Sequence, residues 1–147
     1  MESVETITVD RHVEELQKLK ELYKPNNAFN IPVTTPLEFF KWWCIFLRPF
    51  IPLTDRETDV VASFLKQRWE LSKSISDPAI LDAMMMNSDT LNKVVEECRI
   101  TKQHFYVVMS SLKKKNVING HINPKLIPNT KGNGTFKLTI LFPNIDN

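Results

Sequence analysis

Residues 88–118 read SDTLNKVVEECRITKQHFYVVMSSLKKKNVI, and the fold turns on where this stretch bends. Leu91, Val94 and Val95 recur at helical spacing behind Ser88, a residue able to accept a bond from a free N–H at a helix start. Phe105, Val108, Met109 and Leu112 repeat the pattern behind Thr101, a second such cap. Cys98, Arg99 and Ile100 then form a tight connection between two helices, the second running to about Lys115. Thr101, Lys102, Gln103 and His104 are left exposed at its start, and Tyr106 is undecided between the two faces.

Downstream, Lys113, Lys114 and Lys115 close the helix near Asn116, and VINGHI (117–122) reads as a short strand. The loop NPKLIPNTKGNGT (123–135) carries two prolines and two glycines. FKLTILF (136–142) alternates Phe136, Leu138, Ile140 and Phe142 against Lys137, Thr139 and Leu141, the pattern of a half-buried strand.

Upstream, Thr54 and Glu57 have the spacing of a capping box, opening a helix to about Ser72 with Val60, Val61, Phe64, Leu65 and Leu71 on its apolar face. Asp77 and Pro78 start a short helix whose Met84, Met85 and Met86 suit adaptable core packing. Thr35, Pro36 and Glu38 begin another, in which Glu38 can bond back to the cap. Its body, LEFFKWWCIFLR, is polar only at Glu38, Lys41 and Arg48, so protein must cover most of its circumference. It is either a central core helix or one that also offers Phe39, Trp42, Trp43 or Phe46 to a partner subunit. Before it, KPNNAFNIPVTT is a proline-punctuated linker, preceded by an amphipathic helix from Asp10 to about Tyr23 and an extended arm. The expected organisation is an N-terminal arm, helix and linker over residues 1–33 and one domain over residues 34–147.

Charge is distributed unevenly. The whole chain of 147 residues carries a formal charge of +2, but residues 1–97 sum to −5 and residues 98–147 to +7, with no carboxylate between Cys98 and Ile145. One cationic face on an acidic support would leave this trace. The two cysteines, Cys44 and Cys98, form no CxxC motif and read as reduced core residues. His12, His104 and His121 fall in separate elements without ligand spacing, so no metal or cofactor is expected. Neither a glycine-rich phosphate loop nor a nucleophile motif is present, which argues against an enzyme. The pairs Asp55 with Glu57 and Glu96 with Glu97 read as helix-terminus and surface charge. No stretch is apolar enough to span a bilayer and the acidic start lacks a secretory signal, so a cytoplasmic protein is expected.

Two helices joined at Cys98–Ile100, then two strands about a basic loop, resemble the winged helix-turn-helix of DNA-binding proteins over roughly residues 54–142. The resemblance implies a mainly α fold with a small β-hairpin, Ile100 buried in the turn, and the second helix presented to the major groove. Nucleic-acid contacts then fall to Thr101, Lys102, Gln103, His104, Lys113, Lys114 and Lys115, with Lys125 and Lys131 on the wing. Cys98 stands where many such turns carry glycine. Winged helices also serve as protein-interaction modules, and the low-glycine, Asn- and Lys-rich composition with the run IPVTTPLEFFKWW is similar to small proteins of crAss-like bacteriophages. That similarity implies an alternative role, a virion structural or head-tail connector subunit working in an oligomer, in the host cytoplasm or within the particle.

Overall fold

The computed structural model describes residues 14, 31 and 33–131. By its contacts the chain divides into two units, Met1–Pro32 with Asn129–Asn147, and Val33–Pro128. In the first, Glu14 is helical, as expected for the 10–23 segment. The rest of that helix, the arm before it and the 136–142 strand lie outside the described residues.

The second unit is mainly helical: α1 (Pro36–Phe46), α2 (Asp55–Ser72), α3 (Pro78–Met85), α4 (Ser88–Cys98) and α5 (Lys102–Lys114), then a 3-10 turn at Pro124–Leu126. Among the described residues there is no strand, and no helix is long and apolar enough to cross a membrane.

Each helix starts where a side chain can satisfy an orphan N–H. Thr35, Thr54, Asp77, Asn87 and Thr101 are the caps. Thr54 and Glu57 form the reciprocal capping box. Two local expectations are corrected. Asn87, not Ser88, caps α4, because the Thr90 hydroxyl donates to the Met84 carbonyl (2.9 Å) while the Thr90 N–H donates to Asn87 Oδ1 (2.9 Å). Glu38 reaches past its cap to Thr34, accepting from its N–H at 3.0 Å and its hydroxyl at 3.1 Å. These bonds, the backbone one foremost, lower the Glu38 pKa.

α2, rather than the more apolar α1, is the central helix. It contacts each of the other four, and Val60, Val61, Ala62, Ser63, Phe64 and Leu65 are all buried. Short side chains at Val60–Ser63 let neighbours approach on several sides. α1 is bulkier and lies to one side, burying only Phe40 and Cys44 completely while Trp42, Ile45 and Phe46 stay exposed. Helix apolarity therefore misled about position.

The corner at Cys98–Ile100 breaks the helix as expected. Arg99 adopts a left-handed conformation (φ 52°), its N–H donating to Glu96 O (3.2 Å), and the Ile100 N–H to Val95 O (3.3 Å). This pair of bonds is a Schellman motif, closed by the apolar Val95 and Ile100. α5 ends the same way: Asn116 has φ 57°, and the Val117 N–H donates to Leu112 O (2.9 Å).

The expected strand at 117–122 is also corrected. Asn119-Gly120 turns the chain in its middle, with Gly120 at φ 71°, and Ile118 bridges Ile122 in antiparallel fashion. Val117, Ile118, Ile122 and Leu126 fill the core beneath this turn. The Trp43 indole N–H ties the loop to α1 by donating to Leu126 O at 2.7 Å.

Candidate functional site

The site is the outer face of α5, and the core dictates which residues occupy it. Phe105, Val108 and Leu112 are buried, and the Phe105 ring lies 6.2 Å from that of Phe64 on α2. Removing a buried ring of this kind typically costs about 3–5 kcal/mol, so the rotation of α5 is strongly specified. Helical geometry then turns Lys102, Gln103, His104, Tyr106, Val107, Ser110, Lys113 and Lys114 outward, and all are exposed. Thr101, itself exposed, caps the helix by accepting the His104 N–H at 3.1 Å.

Cations in this unit fall into two populations. Those on α1 and α2 up to Arg68 hold carboxylates: Lys41–Asp59 (3.5 Å), Arg48–Asp55 (2.7 Å), Arg56–Asp59 (3.8 Å), Lys66–Glu97 and Arg68–Asp82 (3.4 Å). Lys73 lies 3.9 Å over the Trp69 ring. Beyond it, Lys115 alone is paired, and Lys93, Arg99, Lys102, Lys113, Lys114 and Lys125 form no ion pair among the described residues. α5 itself carries no acidic side chain.

No family model matches this chain, and no curated protein or solved structure matches it.

Among the residues singled out from sequence, Lys115 is set apart. Its ammonium donates to Glu57 Oε1 (2.8 Å) and to the Pro52 carbonyl (2.6 Å), joining the end of α5 to the start of α2. Glu57 is 3% exposed and also accepts from the Thr54 N–H (3.2 Å) and, weakly, from the Ser111 hydroxyl (3.4 Å). Burial pushes the Glu57 carboxyl upward, but Lys115 and the Thr54 donors outweigh it and hold it below its ordinary value. Glu57 is thus an internal group, not a surface charge. Glu97 likewise is half-buried, held by Lys66 and accepting from Ser63 Oγ at 2.7 Å. Lys125 is exposed on the 3-10 turn, and Lys131 is exposed in the other unit.

The aromatic candidates on α1 also divide. Phe39 and Trp43 are half-buried, Phe39 meeting Phe40 edge-on at 5.2 Å. Trp42 and Phe46, with ring centroids 6.2 Å apart, are exposed beside Ile45 and, past the helix end, Phe50. Burial pushes the Cys44 thiol up to about 12 and, with Asp59 and Glu97 nearby, the Cys98 thiol up to about 11, so both are protonated at neutral pH. Among the described residues no group of His, Cys, Asp and Glu could hold a metal ion.

Sequence reading missed Val107, Ser110 and Arg99 as surface residues of this site. For the first two the signal was present, since fixing Phe105, Val108 and Leu112 inward turns 107 and 110 outward.

Proposed function

We propose that this chain binds nucleic acid through the outer face of α5, and that its fold is the winged helix-turn-helix expected from the sequence. The observation that carries this is the sorting of the cations: the support satisfies its own lysines and arginines with carboxylates, while Arg99, Lys102, Lys113 and Lys114 keep theirs for solvent. A solvated surface has no need of that separation, whereas a polyanion is recognised by cations no internal acid neutralises. Lys115 has a structural role. The wing of such a fold would be drawn from residues 117–142, of which 132–142 lie outside the described residues.

The test is fluorescence anisotropy on a labelled duplex across a salt series. With four phosphate contacts, affinity should fall on the order of a hundredfold between about 50 and 200 mM salt. Substituting Lys102, Lys113 and Lys114 by Gln should reduce the log–log slope by about 3. A slope unchanged in that variant, or absence of binding at low salt, refutes the proposal.

The exposed rings of α1 favour a second role, as a subunit of a larger assembly such as a bacteriophage particle. Trp42, Ile45, Phe46 and Phe50 are 38%, 36%, 43% and 79% exposed, more contiguous carbon than a solitary surface usually displays. Light scattering decides this: a monomer at high concentration that recovers no partner from its source counts against it.

A further inference from the structure

The cationic face of α5 is interrupted at its middle by carbon. Tyr106 and Val107 are 60% and 62% exposed, and Gln103 and Ser110 lie one turn to either side of them. A valine gains nothing from contact with phosphate; it gains only by leaving water against another apolar group. Lysines stand at both ends instead. Lys102 and Lys113 are separated by about 16 Å along the axis, at roughly 1.5 Å per residue. That span brackets the major groove of B-form DNA, about 12 Å wide, so terminal ammoniums reach the phosphates of the two rims while the middle of the helix lies over base edges.

Resting on the nucleic-acid reading above, we infer that the partner is duplex DNA, that α5 enters its major groove, and that Val107 packs on a thymine methyl beside an adenine read by Gln103. The thymine methyl is the apolar group that groove presents, and a glutamine can exchange two hydrogen bonds with the adenine edge. A-form RNA has a major groove too deep and narrow for a helix. A single strand would engage Tyr106 by stacking but leaves Val107 and the paired lysine ends without a purpose.

The full chain is titrated, at about 50 mM salt where phosphate contacts are strong, against four probes. These are an alternating dA–dT duplex, the same duplex with deoxyuridine for thymidine, an alternating dG–dC duplex, and a dT single strand. Deoxyuridine removes only the methyl group, so the dA–dT duplex should bind about fourfold more tightly, the preference of one carbon for leaving water. Val107→Ala should abolish that difference and leave the circular dichroism spectrum and melting temperature unchanged, because the side chain is largely exposed. Equal affinity of the wild-type chain for the thymidine and deoxyuridine duplexes overturns the inference and leaves nucleic-acid binding standing. Tighter binding of the dT strand than of any duplex overturns it in favour of stacking on Tyr106, and binding to none of the four overturns both.

Discussion

Replacing Lys115 by Met leaves the Glu57 carboxylate, 3% exposed, without its only cation. Orphaning a buried charge costs about 3–5 kcal/mol when nothing compensates. Here the Thr54 N–H and the Ser111 hydroxyl remain, and the carboxyl can take up a proton, so about 2–3 kcal/mol is expected. Glu57→Gln is milder, about 1 kcal/mol, because Lys115 keeps the Pro52 carbonyl and its side chain is 29% exposed to water. The two together should cost about 1–2 kcal/mol less than the sum, since neither leaves a stranded charge when both are changed. Urea unfolding followed by circular dichroism reads this directly: with a slope of about 1–3 kcal/mol/M, Lys115→Met should lower the midpoint by about 1 M or more. A shift below about 0.3 M, or additive single and double variants, refutes the assignment of Lys115 as a structural cation. The same variant should keep the wild-type salt slope for nucleic acid, which separates Lys115 from Lys113 and Lys114.

Arg99 occupies a left-handed position at φ 52° with an exposed side chain, so Arg99→Gly should stabilise the fold by about 0.5–1 kcal/mol in thermal or urea unfolding. Asn116, at φ 57°, already tolerates that conformation, and Asn116→Gly should change stability by only a few tenths of a kcal/mol. The Glu57 pKa is depressed on folding from an ordinary 4.5, so its contribution is complete above that value and drains as pH falls through the lower folded value. Unfolding midpoints measured through this acid range should fall with pH, and Glu57→Gln should flatten the fall.

Local bonds made much of this fold legible. Thr54 with Glu57, Thr101 with His104 and Asp77 with Ala79 are partners within three residues, so spacing alone exposes them. Asn87 and Ser88 are both competent caps, and the choice fell to Thr90, whose hydroxyl was better satisfied at Met84. The 117–122 segment failed as a strand because Asn119-Gly120 is a turn signal that outweighs the alternation around it. α1 was misjudged because apolarity measures how much surface wants cover, not which neighbours supply it.

Reading the residues in order was enough to set where the helices of the second unit begin and end, where the chain turns between α4 and α5, and which half of the molecule is cationic. Those properties depend on hydrogen bonds, spacings and counts within a few positions. Only the tertiary structure decided which charges remain available: Glu57 meets Lys115 across 58 positions and Lys66 meets Glu97 across 31. Coulomb attraction and desolvation depend on distance through space, and no pattern along the chain reveals which lysine will arrive beside a buried carboxylate and which will be left facing water.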